Sequence, residues 1–172
     1  MATNDEIDTY LRNRVQKLVL WPSQSFESIF SRQGKLRDKE FNPMKSYGVV
    51  MNMDRISGPG THWTSLVITP QTLFYYDPLL PNKDYVIPSN LREFFIRCQE
   101  SGKRLVTNME ADQHSMVANG YGQKVENIMC GAYSAMAILS LDKKPTVESF
   151  YDMHKRLSSV HNVRRVYHDM TN

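Results

Sequence analysis

The chain has 172 residues, of which 41% are hydrophobic and 23% charged, with a formal net charge of +3. This length and composition predict one soluble globular domain, residues 1–172, and no segment approaches the roughly 20 consecutive apolar residues of a membrane span. Two cysteines exclude a disulfide framework and a four-cysteine zinc site. The acidic start lacks the pattern of a secretory signal, so we expect an intracellular protein with reduced thiols.

The first part of the chain predicts helices. Ile7, Leu11, Val15 and Leu18 recur at helical spacing and predict a helix over residues 4–19. A shorter helix is predicted over 26–32.

The middle of the chain changes to β-branched and aromatic residues bounded by Gly, Pro and Asn, which predicts strands. The predicted strands cover 46–53, 62–68, 72–77, 104–109 and 114–118, and the later helices cover 89–101, 130–141, 147–159 and 161–168. This order predicts an α+β fold with a central, mainly antiparallel sheet flanked by helices.

A histidine stands where the second of these strands begins. If strands 62–68 and 72–77 pair around a Thr69-Pro70 turn, His62 lies directly opposite Asp77. A carboxylate at that distance can fix the imidazole tautomer and stabilise an imidazolium, as in a catalytic triad. A structural pair at a strand end is the alternative, and a one-residue slip of register would separate the two residues.

A cysteine opens the predicted helix 130–141. The positive end of the helix dipole and the free backbone N–H groups are expected to lower the pKa of the Cys130 thiol and to favour its thiolate. The same N–H groups can stabilise an oxyanion, and the side-chain amide of Gln123 can donate a second hydrogen bond. Alternatively, Cys130 is a buried structural residue and Gln123 is a solvated loop residue.

The order His62-Trp63, Asp77-Pro78, Gln123 and Cys130-Gly131 resembles that of adenain-type cysteine proteases. These are maturation proteases of adenoviruses, with relatives in virophages, and they share a clan with the SUMO-specific proteases. The resemblance covers about residues 46–141 and implies an adenain/SUMO-protease-like fold. It implies the following roles: Cys130 as nucleophile, His62 as base, Asp77 as the orienting acid and Gln123 in the oxyanion hole.

The resemblance also implies a substrate class. We expect cleavage of viral capsid or core precursor proteins at small, Gly-containing sites during virion maturation, in the infected cell and the virion. A nucleic acid or a peptide is a candidate weak activator, and no membrane partner or cofactor is expected. Asp77 departs from the Glu usual in adenovirus enzymes, and Cys98 stands too far before Gln123 to match their peptide-binding cysteine.

Three other functions remain open from the sequence. A ubiquitin-like or SUMO-type deconjugating protease would use the same chemistry. An acetyltransferase of the same clan would transfer an acyl group without cutting a peptide. A capsid or interaction protein without activity is the third, and the complete set of four residues disfavours it.

Histidines recur every seven residues near the end of the chain, at His154, His161 and His168. On one helix, neighbours at this spacing would stand roughly 10 Å apart, too far to share a metal ion. We therefore predict no metal site. The surrounding Lys and Arg residues could bind nucleic acid or an acidic protein, or simply form a solvated helix face.

Overall fold

The computed structural model describes residues 2–31, 33–37, 39–54, 62–78, 87–108, 110, 129–157 and 160–172. The helices within these ranges are α1 (Asn4–Arg12), α2 (Phe26–Phe30), α3 (Ser89–Glu100), α4 (Cys130–Lys143), α5 (Val147–Arg156) and α6 (Val160–Thr171), with a 3-10 helix at Lys35–Arg37. The strands are β1 (Val19–Leu20), β2 (Gln24–Ser25), β3 (Tyr47–Asn52), β4 (Trp63–Ile68), β5 (Thr72–Tyr76) and β6 (Arg104–Thr107).

The described strands form one sheet in the order β1-β3-β4-β5-β6, and β2 also pairs with β3. The central pairs β3–β4 and β4–β5 are antiparallel, whereas β1–β3, β2–β3 and β5–β6 are parallel. The predicted α+β fold with a central sheet flanked by helices is confirmed. The antiparallel pairing predicted for this sheet holds in its centre, and the parallel pairs lie toward its edges.

Both faces of the sheet are covered. Val67 and Phe74 belong to a core formed with α1, α4, α5 and α6, whereas Leu66 and Leu73 belong to a second core formed with α2 and α3. Successive strand residues point to opposite faces, so every residue of β4 is buried. Burial of each large apolar side chain contributes about 1.5–3 kcal/mol, and this packing holds β4 and β5 in place.

The first helix is shorter than the apolar spacing predicted. It ends at Arg12 instead of continuing to residue 19, and Val19–Leu20 joins the sheet beside β3. The cause is a distant carboxylate: Asp142 of α4 accepts the backbone N–H groups of Gln16, Lys17 and Leu18 at 2.8–2.9 Å. Those N–H groups are therefore used outside a helix, and the tertiary contact outweighs the local pattern.

The remaining boundaries follow the predictions closely. Strands β3, β4, β5 and β6 and helices α2 to α6 all fall on segments assigned from sequence, with ends that differ by a few residues. The short strands β1 and β2 were missed because two residues carry no periodic signal. The predicted strand 114–118 lies outside the described residues. No helix in the described part of the chain has the length and apolar character to cross a membrane.

Candidate active site

The hairpin between β4 and β5 differs in register from the one predicted. Ser65 pairs with Tyr76, so continuing the ladder sets Asp77 opposite Thr64. The predicted direct opposition of His62 and Asp77 is therefore wrong by two residues. The two side chains are diagonal neighbours across the strands.

The turn explains this register. The N–H of Thr69 donates to the carbonyl of Thr72 at 2.9 Å, which makes Pro70 and Gln71 the central turn residues. Proline suits the first central position because its φ is fixed near the required value. The Thr69 hydroxyl oxygen accepts the N–H groups of Gln71 and Thr72 at 3.3 and 2.8 Å, which stabilises this turn over one centred on Thr69-Pro70.

The predicted contact survives the shift. His62 Nε2 lies 2.8 Å from Asp77 Oδ1, and both side chains are buried. A shift of two residues preserves the face on which each side chain points, whereas a shift of one would have reversed it. Diagonal neighbours on one face remain within reach of a long side chain such as histidine. The hydrogen-bond length is that of a strong, charge-assisted contact.

Further contacts hold Asp77 in place. Its second carboxylate oxygen, Oδ2, accepts the hydroxyl of Tyr75 at 3.0 Å. Its backbone N–H donates to Asn108 Oδ1 at 3.1 Å, and its carbonyl accepts Asn108 Nδ2 at 2.8 Å. Asp77 is thus bound through both carboxylate oxygens and through its backbone.

Cys130 lies not on the sheet but on helix α4, which packs against it. It is the first residue of α4, fully buried, and α4 packs across β4. Gly131 permits this close packing: a Cβ atom there would lie 3.2 Å from Ile7 Cδ1 and 3.5 Å from Trp63 Cδ1. The helix start is therefore pressed against the beginning of β4, where His62 stands.

The thiol and the imidazole meet at this point. Cys130 and His62 are in hydrogen-bond contact. The backbone N–H groups of Trp63 and of Cys130 itself lie close enough to the sulfur to hydrogen-bond it and favour its thiolate. Cys130, His62 and Asp77 thus form a continuous series of contacts from thiol to imidazole to carboxylate.

The pKa of the thiol moves opposite to the sequence-based expectation. Burial, and next the negative charge of Asp77, raise the pKa of Cys130 to about 12, and the two N–H groups offset only part of this rise. The prediction that the helix N-terminus lowers the pKa of the Cys130 thiol is therefore wrong. Loss of hydration outweighs the two N–H hydrogen bonds because the side chain is fully buried.

The other sequence-based assignments have different outcomes. Gln123 lies outside the described residues, so its oxyanion role stays a prediction. Trp63, the residue after His62, is buried in the core between the sheet and α4. Tyr75 and Asn108 were missed. The signal for Tyr75 was its place two residues before the acid, on the same strand face, while Asn108 gave no comparable signal.

The described residues contain no cluster of three or more His, Cys, Asp or Glu side chains suited to a metal ion. His154 is buried on α5 and His168 is exposed on α6, so the histidine repeat is divided between two helices.

Comparison with known proteins gives structural neighbours only. No protein-family model and no curated protein matches the chain. Similar solved structures include the SUMO protease Ulp1 with its catalytic cysteine oxidized to a sulfinic acid, at 16% identity and a TM-score of 0.48, covering 99% of this chain and 78% of that one. The sulfenic acid form matches at 15% identity and a TM-score of 0.48, covering 97% and 77%. At these values the likeness does not identify the chain's activity.

Proposed function

We propose that this protein is a cysteine endopeptidase with Cys130 as nucleophile, His62 as general base and Asp77 as the acid that orients the imidazole. The observation that carries the proposal is the series of contacts among these three buried side chains, including the 2.8 Å bond from His62 to Asp77. A thiol, a base in contact with it and a group that orients the base are what covalent acyl transfer requires.

The tautomer that the His62–Asp77 hydrogen bond favours supports the proton path that we propose. A neutral imidazole that donates its Nε2 proton to Asp77 carries its basic electron pair on Nδ1. His62 accepts the thiol proton there as the sulfur of Cys130 attacks the carbonyl carbon of the scissile peptide bond. Asp77 stabilises the imidazolium that forms, without itself taking up the proton.

The remaining steps complete hydrolysis. The imidazolium returns its proton to the leaving amine, and the C–N bond breaks to leave a thioester on Cys130. Water then attacks the thioester with His62 as base, which releases the acid product and restores the thiol. We propose that the N–H of Cys130, at the start of α4, stabilises the oxyanion, with Gln123 as the predicted second donor.

For the substrate, we propose viral capsid or core precursor proteins, cut at small, Gly-containing sites during virion maturation in the infected cell and the particle. The support is the order His62-Trp63, Asp77-Pro78, Gln123 and Cys130-Gly131 along the chain. A SUMO-type deconjugating protease would use the same chemistry, and SUMO proteases are among the solved structures that resemble this chain.

The test is mass spectrometry of three reactions with purified protein. The first contains particle precursor proteins, the second contains ubiquitin-like conjugates, and the third contains acetyl-CoA with acceptor proteins. We expect new peptide termini after small residues in the first reaction, and none with Cys130→Ala or His62→Ala protein.

Cys98→Ala is the matched control because Cys98, the other thiol, is buried in the opposite core with α3. It should retain most activity. Cleavage confined to conjugates would move the assignment to deconjugation, and acyl transfer without cleavage would move it to an acetyltransferase. Normal cleavage by Cys130→Ala would refute the mechanism.

A further inference from the structure

Regular strand pairing ends just before Asp77, whose side chain is fully buried. The last residue of β5 is Tyr76, and Asp77 is followed by Pro78, which has no backbone N–H to continue the pairing. A carboxylate on such a segment can lose its contact with His62 through movement of the backbone or through rotation of the side chain. Two residues oppose these two motions separately.

Asn108 holds the backbone. It follows strand β6, which runs parallel to β5 with Tyr75 paired to Thr107. Its carboxamide both accepts the N–H of Asp77, at 3.1 Å, and donates to the carbonyl of Asp77, at 2.8 Å. This side chain therefore continues the ladder by one residue where strand pairing stops, and it is fully buried.

Tyr75 holds the carboxylate. Residues two apart on a strand share a face, and the Tyr75 hydroxyl donates to Asp77 Oδ2 at 3.0 Å while His62 binds Oδ1. The Tyr75 ring is buried and packs on Phe95 of α3, with ring centroids 5.1 Å apart. With one oxygen bound on each side, the carboxylate cannot rotate without breaking a buried hydrogen bond.

We propose that Tyr75 and Asn108 are positioning residues for the reaction: Asn108 fixes the backbone of Asp77, and Tyr75 fixes its carboxylate plane, so that the His62 ring keeps its proton on Nε2. The inference rests on the proposed function of Cys130 and His62. Neither residue contacts the reacting atoms, so both act through Asp77.

The test compares Tyr75→Phe, which removes only a hydroxyl, and Asn108→Ala with the wild type. Heteronuclear NMR of the imidazole nitrogens measures the His62 tautomer without any substrate. We expect one tautomer, protonated on Nε2, in the wild type and a mixture in both variants. With a cleaved substrate, kcat should fall about tenfold in Tyr75→Phe with KM nearly unchanged, the equivalent of one lost buried hydrogen bond.

Tyr76→Phe is the matched control. It removes a buried tyrosine hydroxyl from the adjacent residue on the opposite face, where the ring packs against Phe150. It should leave the His62 tautomer and kcat as in the wild type. A merely structural role for Tyr75 would lower the melting temperature and leave the tautomer unchanged, and that result would overturn the proposal, as would equal effects of Tyr75→Phe and Tyr76→Phe on the tautomer.

The two proposals can fail independently. If the wild type cleaves nothing while Tyr75→Phe and Asn108→Ala disturb the His62 tautomer, the endopeptidase assignment fails and the positioning role stands. If the wild type cleaves substrate and both variants keep its tautomer and kcat, the positioning role fails and the endopeptidase assignment stands.

Discussion

Replacing Asp77 by Asn should change two properties of the site in opposite directions. The substitution keeps the size of a fully buried side chain but removes its charge. Hydrolysis should become slower because the carboxamide can no longer stabilise an imidazolium at His62 and can present N–H to Nε2, which selects the wrong tautomer. Loss of such an orienting acid lowers kcat roughly a hundredfold or more.

The thiol should nevertheless ionise more easily. The charge of Asp77 is, after burial, the main cause that raises the pKa of Cys130 from its usual 9.0 to about 12. Nearby charges move a pKa by about 1–3 units. The pKa of Cys130 in Asp77→Asn should therefore fall by at least about one unit, so the thiolate fraction at a fixed alkaline pH should rise about tenfold or more.

The assay measures alkylation by a small neutral electrophile, in a Cys98→Ala background so that Cys130 is the single thiol. From about pH 8 to about pH 10, below the pKa of about 12, the alkylation rate should follow the thiolate fraction and rise with pH. At each pH in this range, the rate should be higher in Asp77→Asn than in the parent. Thermal melting checks that the variant remains folded.

A parent rate that is already constant from about pH 5 upward would reveal a preformed thiolate–imidazolium pair and refute the reasoning from burial. An Asp77→Asn variant with unchanged kcat would refute the orienting role of the acid.

Three further predictions concern stability. The pKa of Cys130 is raised in the folded state to about 12, so the stability that its neutral thiol contributes is fully present below about pH 9 and is lost as pH rises through 12. In urea unfolding, the free energy of unfolding should fall between about pH 8 and about pH 10 by up to about 1.4 kcal/mol more in the wild type than in Cys130→Ala. Gly131→Ala should lower the free energy of unfolding by about 1–3 kcal/mol and also lower kcat, because the new Cβ would press on Ile7 beside the nucleophile. Gly102→Ala is the control: Gly102 has φ 94° and open space around it, so the variant should lose about 1–3 kcal/mol through backbone strain with kcat unchanged. Thermal melting and kinetics measure both effects. Burial raises the pKa of Asp142, but hydrogen bonds from three backbone N–H groups and the charge of Lys17 lower it, and the net shift is downward. The contribution of Asp142 to stability should therefore be lost as pH falls through that lowered pKa. Asp142→Ala should lower the free energy of unfolding by about 2–4 kcal/mol in denaturant melts and flatten this acid dependence.

The sequence contained enough information to pair His62 with Asp77 because face alternation depends only on whether positions are odd or even along a strand. The exact register did not follow, since it depended on whether Thr69-Pro70 or Pro70-Gln71 formed the turn centre. The hydrogen bonds of Thr69 decide that choice, and they exist only once the chain has turned. The functional contact tolerated the error because the shift was by two residues.

Asn108 and the pKa of Cys130 could not be predicted for a common reason. The hydrogen bonds between Asn108 and the backbone of Asp77 join residues 31 positions apart. The pKa of the Cys130 thiol depends on burial under residues from the start of the chain. Ile7 and Ala2 lie against the helix start that carries Cys130. Local rules correctly placed Cys130 at the start of α4 but did not reveal the burial that dominates the pKa of its thiol.

The burial of Cys130 explains why the orientation of the His62 imidazole should matter so much here. A thiol with a pKa of about 12 is not a nucleophile at neutral pH until it transfers its proton. In the proposed mechanism, His62 therefore accepts the proton during attack, in the correct tautomer and at the correct angle, instead of relying on an ion pair formed beforehand. Under that mechanism, every contact that fixes Asp77, and through it His62, helps to lower the barrier to attack.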